Sequence, residues 1–332
     1  YISRMTLVRS ILLRREAGIL VMIVLFCAAV GFYKPQFLTL QSLKIILLLT
    51  PLVMIGAMAQ MLVLVARHVD LSIGSMLGFS AMVVGLMYRE YPDIYWLLGF
   101  PVAIFTGAIL GLGNGLLVTI FSLPSIIVTL GTLSLYRGLT FIISDARQIN
   151  RSVIPTELKV MSRTSPIFDI PWIILIAFGI ALMTFIIARH TQLGRQIYAL
   201  GSNPEAAPLR GIDVTKVTLI VFTLAGALSG LAGILYASRW GFVNPSNTGA
   251  GFEFQVIAAV VIGGVSINGG IGTVMGTVLG VLLLGCVAAA LPLLGIPGST
   301  QNSIYGAVIL IALLIDRSVR QGGIIRSSKA IE

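Results

Sequence analysis

The sequence predicts an all-α, polytopic integral membrane protein of about ten transmembrane helices, one of them short or broken. Three observations carry that prediction. Of the 332 residues, 57% are hydrophobic and only 10% charged, whereas about one residue in four is charged in a soluble globular chain. Apolar runs recur at about the 20-residue length that crosses hydrocarbon as a helix. The polar residues gather between those runs rather than alternating within them.

Taken in order, the runs are Ala17–Tyr33, Ile45–Ala66, Leu71–Tyr88, Trp96–Phe121, Ser125–Ile143, Ile170–Ala188, Val217–Ala237, Phe254–Ile267, Thr273–Leu294 and Ile304–Ile315. The eighth and tenth are short for a square crossing. Such a chain excludes a soluble enzyme built on one buried core. The first run lacks a small-residue cleavage site and is followed by further spans, so it reads as an anchor rather than a signal peptide. Tyr1–Arg4, ahead of Met5, are set aside. Cys27 and Cys286 each lie inside an apolar run, so neither a disulfide framework nor a thiolate metal site is expected.

The net charge of +10 fits the excess of Lys and Arg in cytoplasmic loops better than it fits nucleic-acid binding. With the N-terminus inside, thirteen of the 22 basic residues fall on the cytoplasmic side and eight outside, four of them in the long loop Ser144–Asp169. Both termini then lie in the cytoplasm. A single membrane domain covers 1–332, with cytoplasmic segments at 1–16, 191–216 and 317–332. Ten spans divide into two sets of five, which permits inverted repeats. GAILGLGNG (107–115) and GTVMGTVLG (272–280) both place glycine every four residues, a spacing that lets helix backbones approach closely in lipid.

Chemistry-bearing motifs are few. No Lys follows a Gly, so the phosphate-binding loop G-x-x-x-x-G-K-[ST] is absent and this chain is not expected to hydrolyse nucleotide. There is no G-x-S-x-G elbow and no H-E-x-x-H helix. His68 and His190 flank spans, as interfacial residues do. Asp70, Glu253 and Asp316 lie at span ends, so no acidic relay for an ion-driven transporter is evident. Arg137 is the clear intramembrane charge. Either it snorkels to the outer interface, or it lines a route and donates hydrogen bonds to a polyhydroxylated solute. The uncharged polar residues inside or beside spans extend that candidate path: Gln60, Asn114, Thr129, Thr132, Gln255 and Asn268, with Glu253 at its outer end. Ser and Thr also serve as helix-helix glue, so Asn114, Gln255 and Asn268 weigh more.

FEFQVIAAVVIGGVSINGGIG (252–272) is too short and too broken by Gly263–Gly264 and Gly269–Gly270 to cross squarely. Broken helices at membrane depth line cavities, where freed backbone groups find partners. Thr191–Lys216 is the longest polar connection assigned to the cytoplasm. Within it Asn203-Pro204-Glu205 signals a helix start, Ala206 and Ala207 continue it, Pro208 keeps it to one or two turns, and Gly211 closes it.

GRQIYALGSNPEAAPLRGI (194–212) resembles the cytoplasmic signature of permease subunits of carbohydrate ABC importers of the ribose, xylose, arabinose and galactose type. The resemblance continues through ARHVDLSIGSMLG (66–78), LPSIIVTLGTLSLYRGLTF (123–141) and GAGFEFQVIAAVVIGGVSINGGIGTVMGTVLG (249–280), nearly the whole chain in order. LGTLSLYRG and NPSNTGAGFE look closer to the rhamnose and autoinducer-2 branch. The resemblance implies a subunit in the bacterial inner membrane that moves a neutral sugar or sugar-like solute inward. Its implied partners are a cytoplasmic ATPase subunit that binds ATP and Mg, a second permease chain, identical or not, and a periplasmic sugar-binding protein. This chain would hold no cofactor itself. The motif carries the ATPase-coupling role onto Asn203, Pro204, Glu205, Ala206 and Ala207, preceded by Gly194, Arg195 and Gly201. Pro208 departs from the pattern, where a helix-continuing residue is expected. The outer-mouth stretch Arg239–Glu253 is expected to face the binding protein. Rival readings are a branched-chain amino acid permease of the same machine, a self-sufficient secondary transporter and a passive channel.

Overall fold

A computed structural model describes residues 15–163, 170–297 and 300–310, without 302 and 308. Residues 1–14, the loop stretch 164–169, the tail 317–332 and half of the tenth expected span lie outside the described residues.

The chain folds into helices in the order α1 (Arg15–Tyr33), α2 (Leu40–Val65), α3 (Ile73–Glu90), α4 (Gly99–Ile120), α5 (Ser125–Ser144), α6 (Thr156–Met161), α7 (Trp172–His190), α8 (Gln192–Ser202), α9 (Ala206–Leu209), α10 (Val214–Trp240), α11 (Phe252–Ile262) and α12 (Val274–Leu293). Among the described residues there is no β-strand, only an isolated antiparallel bridge between Ile149 and Val243. Among the described residues seven helices are long and apolar enough to cross a membrane: α1, α2, α4 with the 3-10 turn before it, α5, α7, α10 and α12. With the shorter apolar α11 they make the polytopic all-α membrane protein that the sequence predicts, and two of the expected runs differ in detail. α3 is helical over 18 residues but rich in Gly and Ser and enclosed by protein. The eighth run stops at Ile262 rather than Ile267, giving an 11-residue α11. Lys44, which precedes the apolar run Ile45–Ala66, lies inside α2.

Burial sorts the helices into a core and a rim. The most apolar stretch of α2 is 78% buried and that of α1 only 17%. α10 and α12 resemble α2, while α4, α5 and α7 resemble α1 in presenting broad apolar faces outward. Both glycine repeats sit at helix crossings. A Cβ on Gly107 or Gly111 of α4 would overlap the Gly226 or Phe222 carbonyl of α10, and one on Gly276 or Gly280 of α12 would overlap the Gly263 or Ala259 carbonyl beside α11. Removing the side chains lets the backbones meet, which replaces the missing hydrophobic drive between helices in lipid with close van der Waals packing.

α11 is short because the chain has already descended before it begins. Val243 pairs with Ile149, whose side chain packs on Gly85 of α3, while Gly249 lies against Gly74 eleven residues away on the same helix. At 1.5 Å rise per residue the stretch 243–249 therefore travels roughly 16 Å alongside α3. Gly249 holds φ 75° with its Cα facing the Gly74 carbonyl, a conformation and a gap that favour glycine.

Candidate functional site

The polar segment after α7 is built as a rigid corner. Thr191 Oγ1 accepts from Gly194 N at 3.1 Å and donates to Ile187 O at 2.6 Å, capping α8 as it turns away from α7. A Cβ on Gly194 would overlap the Ile187 and Ala188 carbonyls, so the corner depends on glycine there. α8 buries Gly194, Ile197, Leu200 and Gly201 and exposes Gln192, Arg195 and Ser202. This helix was not foreseen, although its apolar spacing of three and four was legible.

Asn203 then starts the next turn as expected. Its Oδ1 accepts from Glu205 N at 3.1 Å and Ala206 N at 3.0 Å. α9 is four residues long and contains Pro208 without losing a needed hydrogen bond, because a first-turn amide has no partner within the helix. Ala207 is buried, whereas Glu205 is exposed and Leu209 is 88% exposed. Leu209 was not singled out, although an apolar residue closing so polar a stretch was visible in the sequence.

α8 touches two parts of the core at once. A Cβ on Gly201 would overlap the Val65 carbonyl at the end of α2 and come within 2.6 Å of Gly270 N. Gly270 N itself donates to Val65 O at 2.9 Å. Tyr198 Oη donates to Gly272 O at 2.7 Å, and burial pushes its phenol pKa upward. The end of α2 and the turn from α11 to α12 are thus clamped together on α8.

At the opposite ends of these elements lies a cavity of about 680 Å³. Its walls are the first half of α2, the last turns of α10 and α12, and the 247–252 stretch, with Gln301 and Tyr305 closing one side. Its polar groups include Arg239, Asn247, Gln255 and Tyr305, and Gln255 Nε2 donates to Tyr305 Oη at 3.2 Å. Trp240 and Phe252 add aromatic surface, and the Arg239 guanidinium lies 5.5 Å from the Trp240 ring. No carboxylate lines the cavity among the described residues.

Of the candidate path residues, Gln255 is the one on this wall. Gln60 lies further along α2, fully buried, with neither amide atom hydrogen-bonded. Asn114, Thr129 and Thr132 belong to a closed polar cluster instead. Asn114 Nδ2 donates to Ser72 Oγ at 2.8 Å, and its Oδ1 accepts from Tyr136 Oη at 3.0 Å. Thr129 Oγ1 donates to Ser125 O, and Thr132 Oγ1 to Thr129 O. Asp70, in the turn between α2 and α3, joins the cluster: its Oδ1 accepts from Ser72 N and Oγ at 2.8 and 2.6 Å. Burial pushes its carboxyl up to about 6, opposed by those hydrogen bonds, and pushes His68 in the same turn down to about 4.

Arg137 neither snorkels nor reaches the cavity. Its Nη1 donates to Thr248 O at 2.6 Å and Pro245 O at 3.4 Å, pinning the descending stretch to α5. Glu253 is 7% exposed, with its carboxylate against Gly74, so it does not stand at a mouth beside Arg239. Asn268 lies in the turn after α11, where its backbone amide donates to Ser266 Oγ at 3.3 Å, not within a span. Cys27 and Cys286, 259 residues apart, converge to 3.9 Å as free thiols between α1 and α12.

A family model described as branched-chain amino acid transport system / permease component matches residues 42–313. The chain is 35% identical over 314 residues to the autoinducer 2 import system permease protein LsrC of Escherichia coli O9:H4 (strain HS), covering 92% of this chain and 88% of that one. It is 34% identical over 316 residues to the protein of the same name from Photorhabdus laumondii, covering 92% and 90%. The LsrC of Salmonella typhi is 35% identical over 314 residues, covering 92% and 86%. No solved structure matches the chain.

Proposed function

The chain belongs to the permease family described for the branched-chain amino acid transport system, and on that premise we propose that it is the transmembrane subunit of an ATP-driven importer of a neutral, sugar-like solute. The relatives named above are import permeases for autoinducer 2, which favours a solute of that kind over a branched-chain amino acid. The cavity agrees. Amide, phenol and guanidinium donors beside Trp240 and Phe252 suit a hydroxyl-rich molecule with apolar faces. A zwitterion would bring an ammonium group to a wall that has no carboxylate among its described residues.

The observation that carries the reading is the clamp of α8 on both Val65 and Gly270. α2 and the α11–α12 pair extend from that clamp to the cavity walls. A force on α9 is thereby delivered to both sides of the cavity. The ATPase subunit, holding ATP and Mg, would dock on the cytoplasmic α8–α9 face, with Asn203, Pro204, Glu205, Ala206 and Ala207 forming the docking turn and Leu209 its apolar knob. Gly194, Arg195 and Gly201 carry the turn's movement into the core. The cavity then faces the periplasm, where a binding protein delivers solute, and both termini are cytoplasmic. A second permease chain would complete the assembly, covering part of the exposed apolar faces of the rim. Closure of the ATPases shifts the population between outward and inward access only as far as the two states differ in affinity for ATP and solute.

Reconstitution with the ATPase and candidate binding proteins supplied one at a time tests this. ATP-dependent uptake of a labelled neutral sugar-like solute, and not of leucine, is expected. Uptake that needs no ATPase and collapses with the ion gradient would overturn it in favour of a secondary transporter.

A further inference from the structure

The cavity meets the first residue of α11 at Phe252. Phe252 lines the cavity and packs against Gly56 of α2: a methyl carbon at Gly56 would stand 2.8 Å from Phe252 Cε1 and 2.8 Å from Val256 Cγ2. No side chain fits between the ring and the helix. One turn further along the same face of α2 comes Gln60, since residues four apart share a helix face. Its amide nitrogen and oxygen are both buried, and neither has a hydrogen-bond partner among the described residues. Leaving a buried amide unpaired costs about 1–3 kcal/mol, and buried polar groups are otherwise almost always paired. Gln60 thus offers a donor and an acceptor together, on the side of Phe252 away from the cavity and toward the α8 clamp.

We infer that Phe252 is the gate of the solute path and that Gln60 is the hydrogen-bonding station behind it, engaged by a hydroxyl-bearing solute once the ring leaves Gly56. This rests on the importer reading above. A hydroxyl can both donate and accept, so a polyol satisfies both atoms of the amide. The gate is connected to the lever. Phe252 opens α11, and the turn that closes α11 runs to Gly270 and Gly272, which bond to Val65 O and Tyr198 Oη. Movement of α8 relative to α2 therefore displaces α11 along the surface where the ring rests. Gly56 lets the ring seal flush, and its neighbour Val256 fixes the register of that seal.

The test uses the purified importer in proteoliposomes, with light scattering following entry of D-ribose in the absence of ATP. Phe252→Ala is expected to gain passive ribose permeation, and Phe252→Met to stay sealed like wild type. Gly56→Ala, which forces the ring away without deleting it, is expected to leak as Phe252→Ala does and serves where that variant is not recovered. Gln60→Leu is expected to keep the wild-type seal and an equal or higher melting temperature. Its KM for ATP-driven uptake is expected to rise about tenfold, the loss of roughly one good hydrogen bond. A sealed Phe252→Ala or Gly56→Ala protein that still imports with ATP would overturn the gate. A Gln60→Leu protein with wild-type KM would overturn the station. If wild-type protein imports nothing with ATP, the importer reading fails instead, and the passive leak still decides the gate.

Discussion

Gly201 of α8 rests directly on the carbonyl of Val65, the last residue of α2, so closely that a Cβ would overlap the oxygen. This contact joins the polar segment to the core. Gly201→Leu is predicted to pry α8 from α2 and Gly270 together. Binding of the ATPase should survive, because the exposed α9 face is untouched. Solute-stimulated ATP hydrolysis and uptake should both fall by about tenfold or more, measured in proteoliposomes, as for other overpacked contacts costing 1–3 kcal/mol. Wild-type coupling in a stable Gly201→Leu protein would show that force takes another route.

Arg137 is hydrogen-bonded to protein backbone, at Thr248 O and Pro245 O. Arg137→Gln removes the donor to the Thr248 and Pro245 carbonyls and is predicted to destabilise the protein by roughly 1–3 kcal/mol, the cost of stranding buried acceptors. Thermal unfolding in detergent reads that loss. KM for uptake should not change in the protein that remains folded. A raised KM at unchanged stability would return Arg137 to the solute route.

Much of this was legible in the sequence, and the exceptions share a cause. Apolar run length located α1, α2, α4, α5, α7, α10 and α12, because hydrocarbon thickness dictates it. Asn203 announced its turn because capping is local chemistry. The glycine repeats announced close crossings, though not which helices cross. Path residues were harder. Asn114, Thr129 and Arg137 look like solute ligands in a string of letters, yet each is satisfied by a neighbour far away in the chain. Phe252 had no polar signature at all. Its role depends on Gly56, 196 positions before it, and only the fold brings them together.

Asp70 gives the fold a pH dependence. Its folded pKa of about 6 lies above the unfolded value of 3.8. The protonated form is therefore favoured by folding, and stability contributed by this group is full below the unfolded value and is lost as pH rises toward 6. A difference of that size corresponds to at most roughly 3 kcal/mol. Wild-type protein should lose stability relative to Asp70→Asn between about pH 4 and pH 6, with the gap constant above. Parallel melting curves across that range would contradict it.

In the proposed importer, force enters at the capped turn and reaches the cavity through α8. Glu205 stands exposed on that turn, touches no part of the cavity wall, and is separated from the core by Ala207. The direct measurement is Glu205→Arg against wild type in proteoliposomes that contain the ATPase and a matching binding protein, recording solute-stimulated ATP hydrolysis and labelled-solute uptake side by side. A normally inserted, normally folded protein in which both signals disappear together is expected. Undiminished uptake in Glu205→Arg, or uptake that proceeds without the ATPase, would contradict it.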